Sequence, residues 1–588
     1  MRLCFALVSI VLFAGCHTKK TIAQMKDSDF SLPPIPHEQN KNATATYAET
    51  IAFFEAAAKH PFIELRTYGS TDAGKPLHLA VISNDGNFDP DAARKNGKRI
   101  FLVNNGIHPG EPCGVDASMQ LVRDLIMDSE ASAMLDNVVL CMIPMYNIGG
   151  ALNRNSHTRT NQDGPESYGF RGNARNLDLN RDFIKCDSKN AKAFTIIFRE
   201  WEPDVFVDTH TSNGADYQYT MTMIATQHNK LHPSLGNFLD QELMPKLYAE
   251  MKNRNWEMTP YVYARESPHE GILAFLDSPR YSSGYAALFN TLSFMPEAHM
   301  LKPFEDRVAS TKAFLEAMLE ALNGPMGLTL DRIRRQVNES TKTQMVFDID
   351  WELDRSKQDV LMFKGYTAKR KPSAITGMDR LYYDRNEPYE MEIPYWKTYK
   401  SKLSVDRPDS YFIPQAWTEV IERLELNGVE ITTLTEPKTV EVEVYYIRDF
   451  KDRDAYEGHY LHSNVIVEKR TEAMTMVAGD YEVVTNQDCN RYIIETLEPQ
   501  APDSYFAWNF FDSILQQKEY FSSYVFEDLA AKILAENPDL KKQLEQRKSE
   551  DEEFAKSAYR QLEFVYKNSP HYEPTHRRYP VYRYFGSN

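Results

Sequence analysis

Three residues in this chain could hold a metal ion: His108, Glu111 and His210. A His and a Glu three positions apart, as in His108-Pro109-Gly110-Glu111, can point at one ion when they sit on a loop opening a helix, and imidazole with carboxylate suits zinc. Such pairs are common by chance, so the spacing needs a third ligand before it means anything. His210, in Asp208-Thr209-His210-Thr211, supplies one. Two His and one Glu leave the fourth position open for water, as a catalytic zinc requires.

The elements that must position these residues are four short apolar runs: Arg99 to Asn104, Val138 to Tyr146, Asp204 to Asp208 and Thr291 to Pro296. They alternate with helical stretches from about Thr44 to Asn323, which predicts an α/β domain whose sheet is covered on both faces. In open α/β sheets, ligands gather where strands end and loops begin. Asn105 to Glu111 follows the first run, with a helical pattern over Gly114 to Ile126. Thr209-His210-Thr211-Ser212 follows the third, and Pro296-Glu297-Ala298-His299-Met300 closes the fourth.

The H-P-G-E at His108 to Glu111, the run Asn176-Leu177-Asp178-Leu179-Asn180-Arg181-Asp182-Phe183, the strand ending at His210, and Glu297 follow one another in an order that resembles the carboxypeptidase A-like zinc carboxypeptidases. The resemblance covers roughly residues 45–320. It implies a carboxypeptidase-like mixed eight-stranded sheet flanked by helices, one zinc ion (Zn2+) per chain on His108, Glu111 and His210, and a peptide substrate with a free C-terminal carboxylate. Glu297 would then take a proton from a zinc-activated water and pass it to the departing amine, near the metal without ligating it. Arg171 would stabilise the oxyanion, with Arg159 and Arg175 as fallbacks.

Asn180 and Arg181 carry the end-specific part of the resemblance, because a planar guanidinium meets a carboxylate through two parallel hydrogen bonds. A tyrosine over the substrate is implied as well, with Tyr281 preferred to Tyr285. Asn147-Ile148-Gly149-Gly150 keeps a turn where many relatives carry Asn-Pro-Asp-Gly, and the polar insert Asn153 to Tyr168 is expected to flank the cleft. His299 is either a support for the site or an ordinary strand-end histidine, and His269-Glu270 is read as a loop that binds nothing.

At 588 residues the chain exceeds what one core normally organises, so two or three domains are expected. Residues 1–15 read as a lipoprotein signal peptide. Leu12-Phe13-Ala14-Gly15-Cys16 resembles a bacterial lipobox, with Phe13 in place of the usual Leu, and places lipidation on Cys16. The protein is therefore expected to be exported and held to a bacterial membrane through Cys16 alone. Residues 16–43 read as a tether, 44–325 as the catalytic domain, 345–495 as a β-rich module and 496–588 as a mostly helical segment. Cys113, Cys141, Cys186 and Cys489 lack the paired spacings of a thiolate zinc site, and no disulfide is expected.

A formal charge of −17 argues against nucleic acid as a partner. The aromatics from Tyr505 to Tyr524 read as core, with Trp508, Phe511 and Leu515 on one helical face, rather than as a carbohydrate platform. The basic tail His571 to Phe585 reads as surface packing. Two other functions stay open: a zinc amidohydrolase of the same fold acting on N-acyl amino acids or peptidoglycan stem peptides, and an inactive peptidase-like binding lipoprotein.

Overall fold

Strands that read as unbroken apolar runs should be buried on both faces, with alternate side chains entering different cores. A computed structural model describing residues 30–264 and 266–586 shows this arrangement. Strands β1 (Ile63–Ser70), β2 (Pro76–Ile82), β3 (Arg99–Asn104), β4 (Val138–Ile143), β5 (Val205–Asp208), β6 (His210–Ser212), β7 (Met221–Ala225), β8 (Met258–Pro260) and β10 (Leu292–His299) form one mixed sheet; β9 (Ile272–Leu273) lies outside it. Its order is β1-β2-β4-β3-β5-β10-β7-β8, and β6 prolongs β5 beyond Thr209, both running parallel to β10. Eight strands result, one of them interrupted, as the family resemblance implied.

Phe101 and Val103 of β3 enter one core with helices Cys113–Met127 and Phe304–Asn323. Ile100 and Leu102 enter the opposite core with helix Lys189–Trp201. That second core continues past residue 325. It also takes in Phe347, Tyr411, Leu424, Tyr445, Tyr492, Trp508 and Tyr579, so the downstream region shares apolar interior with the catalytic region.

The downstream β-rich region holds β11 (Val346–Leu353), β12 (Asp359–Pro372), β13 (Asp379–Trp396), β14 (Tyr399–Asp406), β15 (Ser410–Ile413), β16 (Thr432–Thr433), β17 (Lys438–Lys451), β18 (Ser463–Met476) and β19 (Tyr481–Val484). The β12–β13 hairpin is largely exposed and pairs at its base with β9. A six-stranded sheet has the order β16-β19-β15-β20-β17-β18, where β20 (Tyr582–Tyr584) is the C-terminal strand. Helices Ser523–Glu536, Pro538–Glu550 and Ala558–Lys567 form a small core of their own, and the Asn537 side chain caps the second of them by accepting from the Leu540 N–H.

Several expectations are corrected. Residues 30–43 are not a free tether: Ile35 and His37 are buried, His37 packs edge-on against Phe304, and Arg123 pairs with Glu38. Apolar side chains spaced along that segment drive this docking. Trp508 and Phe511 are fully buried, but in consecutive turns and not on a helix, with only a short 3-10 turn at Asp512–Leu515. The C-terminal tail is not surface packing, since Tyr579, Val581 and Arg583 are buried and β20 lies between β15 and β17. Segment 496–588 accordingly ends in a central strand, where a row of unpaired backbone groups was available to it. Cys113, Cys141, Cys186 and Cys489 are free and buried. The leader and Cys16 lie outside the described residues. No described helix is long and apolar enough to cross a membrane.

Candidate active site

The turn after β3 begins at Gly106, whose φ of 65° suits glycine, and delivers His108 and Glu111 to the start of helix Cys113–Met127. Gly114 lets that helix approach the break between β5 and β6, because a Cβ there would lie 1.9 Å from Thr209 Oγ1. His210 opens β6, and Glu297 sits opposite it in the parallel pairing with β10. Glu297 thus lies inside a strand rather than in the loop beyond, so its backbone is fixed by the sheet.

His108, Glu111 and His210 are buried, and one ligand atom from each lies within 4.8 Å of the others. His108 Nδ1 has no hydrogen-bond partner and lies 3.3 Å from Glu111 Oε1; His210 Nδ1 lies 3.3 Å from Glu111 Oε2. Buried orphan nitrogens are costly unless something fills the space they face. The set fits a zinc ion in donor type, number and closeness.

Two carboxylates with no assigned part in the sequence reading support these ligands. Asp178 Oδ1 lies 2.9 Å from His108 Nε2, and Asp208 Oδ2 lies 2.9 Å from His210 Nε2. A carboxylate on the outer nitrogen fixes the tautomer and turns the inner nitrogen toward the ion. Asp178 is the third residue of the Asn-Leu-Asp-Leu-Asn-Arg run, far along the chain from every ligand, whereas Asp208 stands two before His210, where proximity was the available signal.

Burial opposes ionisation of Glu111, yet His108 and Arg159 beside it hold its carboxyl well below the usual range. Burial likewise opposes charge on His210, while Asp208 holds its imidazole well above the usual value. Glu297 behaves oppositely: burial pushes its carboxyl up to about 7, against the pull of His210. Glu297 is half-buried at the cavity wall, and a cation beside it would favour its carboxylate form.

One cavity of about 640 Å³ is lined by His108, Glu111, His210 and Glu297 together with Arg159, Arg171, Asn180, Arg181 and Tyr281. Arg159 Nη1 lies 2.8 Å from Glu111 Oε1, while Arg171 reaches Asp178 Oδ2 through Nε at 3.0 Å. Arg175 is outside the cavity and donates to the Asp187 carbonyl. Asn180 Oδ1 accepts from the Ser282 N–H at 3.2 Å, leaving its amide N–H groups free. Arg181 lies 4.5 Å over the ring of Tyr281, with its Nη1 3.9 Å from Asp178 Oδ2. Tyr285 is a core residue whose hydroxyl donates to Asn427.

The polar insert contributes Thr158 to Gln162 to the cavity wall. His299 stacks on Tyr217 at 4.1 Å in the interior and holds nothing at the site; His269 and Glu270 are exposed. Tyr261, which the sequence reading passed over, lines the cavity, where burial and then Glu297 keep its phenol protonated. Nothing in its local sequence marks it.

A His-Glu-His cradle at the strand ends of a mixed α/β sheet, with a carboxylate on the adjoining strand, defines a metallopeptidase domain. The zinc carboxypeptidase family matches residues 51–269, so the chain carries a zinc carboxypeptidase domain and is a hydrolase of that class. The match ends before β10; the sheet, not the match, places Glu297. Two curated relatives are both named Carboxypeptidase 2. The one from Trichophyton tonsurans is 23% identical over 430 residues, covering 69% of this chain and 73% of that protein. The one from Trichophyton rubrum is 22% identical over 460 residues, covering 74% and 78%. Such coverage exceeds what residues 1–325 can hold, so the similarity runs into the downstream region. Among solved structures, a metallo-carboxypeptidase from Burkholderia cenocepacia is 19% identical with a TM-score of 0.37, covering 49% of this chain and 70% of that one. One from Pseudomonas aeruginosa, in complex with (2-guanidinoethylmercapto)succinic acid, is 16% identical with a TM-score of 0.37, covering 49% and 70%.

Proposed function

We propose that this protein is an exported, lipid-anchored zinc carboxypeptidase that removes C-terminal residues from peptides, attached to the membrane through Cys16. The observation that carries the reading is one cavity lined by Asn180 and Arg181 as well as by His108, Glu111, His210 and Glu297. Zinc on His108, Glu111 and His210 would supply Lewis acidity, acidifying water and polarising a carbonyl. Arg181 and the free amide of Asn180 bind the terminal carboxylate and so select the last peptide bond. Glu297 takes the proton of the attacking water and returns it to the departing amine. Arg171 faces the oxyanion, with Arg159 as the alternative guanidinium for that role.

Ile224, Tyr261, Phe275, Met295 and Met300 line the same cavity, and among the described residues its only carboxylates are Glu111 and Glu297, both committed to the metal chemistry. Among the described residues no acid remains to receive a basic side chain. An apolar or aromatic C-terminal residue is therefore favoured over Lys or Arg.

Incubation with a peptide library that includes amidated peptides and peptidoglycan stem fragments tests this. Stepwise loss of uncharged C-terminal residues, blocked by amidation and by chelation, with about one zinc per chain, is the expected result. Cleavage confined to stem fragments or N-acyl amino acids would transfer the assignment to an amidohydrolase, and a zinc-free inert protein would leave only the binding role. The pH dependence should follow Glu297. Its base form is needed, so kcat/KM should rise with pH along an acid limb whose midpoint lies below about 7. An acid limb centred above that value would assign the base elsewhere.

A further inference from the structure

The turn joining β17 to β18 leaves its own sheet and lies against the loop that carries Asn180 and Arg181. Tyr456 and His459 exchange backbone hydrogen bonds of 2.7 and 3.0 Å, closing a tight reversal around Glu457 and Gly458, both at positive φ. Three side chains reach out from it. Tyr456 Oη accepts from Arg181 Nε at 3.0 Å, Glu457 Oε2 accepts from the Asp178 N–H at 2.7 Å, and His459 Nε2 lies 2.7 Å from Asp187 Oδ2. Asp178 is the carboxylate that holds His108 and Arg171. One turn of the downstream region thus touches both the support of a metal ligand and the guanidinium assigned to the substrate carboxylate.

The donors of Arg181 are used selectively. Nε is taken by Tyr456, and one Nη1 hydrogen goes to the Asn180 carbonyl at 2.8 Å. The remaining Nη1 and Nη2 hydrogens form the end-on fork that a carboxylate needs. Tyr281 covers one face of the guanidinium. Tyr456 is itself held rigidly, its ring stacked on Trp508 and capped by Arg280, which pairs with buried Asp503 at 2.7 Å. Pinning Nε fixes rotation of the fork, which would otherwise cost side-chain entropy on binding.

We infer that Tyr456 is a positioning residue for Arg181, so that the region after residue 345 completes the carboxylate-binding end of the cleft. The inference rests on the carboxypeptidase reading. Its test is Y456F in the full-length zinc-loaded protein, which keeps the ring and removes only the hydroxyl. KM for a free-acid peptide should rise about 5–20-fold, near the lower end of the cost of losing one hydrogen bond to a charged group, because the hydroxyl acts on the carboxylate only through Arg181. kcat should stay within about twofold, zinc content and melting temperature should not move, and the preference for free-acid over amidated peptide should narrow by the same factor. In an R181K background, which lacks Nε, Y456F should add little. An unchanged KM in Y456F, a fall in kcat alone, or a full-sized effect in R181K would overturn the inference. A wild-type protein that cleaves free-acid and amidated peptides alike would instead overturn the carboxypeptidase reading beneath it.

Discussion

Glu297→Gln is expected to lower turnover by about 10²–10⁴-fold, the contribution of a positioned general acid and base, while the protein keeps its zinc and its fold. Gln fills the same space and cannot accept a proton. The backbone is secured independently of the side chain, by parallel pairing of Glu297 with His210 and antiparallel pairing with Thr222. None of the three metal donors is altered. Metal analysis and thermal melting should therefore match the wild type while peptide release collapses. Turnover within tenfold of wild type would remove Glu297 from the proton path, and loss of zinc would make it a ligand.

Arg583→Ala is expected to destabilise the protein by about 3–5 kcal/mol, the usual cost of stripping one partner from a buried ion pair. Arg583 is 1% exposed on the central strand β20. Its Nε lies 2.9 Å from Glu498 Oε1, close enough for an ion pair although not aligned as a hydrogen bond. Its Nη groups donate to Glu443 and to the Asp406 carbonyl. Without it, Glu498 keeps the Tyr411 hydroxyl at 2.7 Å but loses the guanidinium that faces it inside the core. Replacing both partners with apolar residues, Arg583→Met with Glu498→Met, should cost far less, since no charge is left behind. Denaturant titration separates the cases. A single-variant loss below about 1 kcal/mol would show that the pair carries little of the stability.

Removing β20 should be worse still, because Tyr582 to Tyr584 bridge β15 and β17. The shared second core carries the same message. Residues before 325 and after 345 bury one another's apolar surface, so neither region presents a self-contained interior along that face. This also explains how a turn at Tyr456 can be rigid enough to orient Arg181 from far along the chain.

The sequence by itself determined the central strands and the metal donors. β3 matches its apolar run from end to end, and β4, β5 and β10 fall within two or three residues of theirs, because strands buried on both faces must be continuously apolar. His108 and Glu111 were legible as candidate donors because their spacing is a local property of one turn, while His210, on another strand, joined them through the family resemblance, and the fold brings the three together. Tertiary structure alone decided the rest. Asp178, Tyr261 and Tyr456 acquire their places through pairing of distant segments, which leaves no mark on nearby residues. The fate of residues 30–43 and of β20 likewise depended on surfaces supplied elsewhere: an apolar face for Ile35 and His37, and an open pair of strand edges for Tyr582 to Tyr584. Local pattern sets which element can form, whereas the free energy of burying it belongs to whatever it meets.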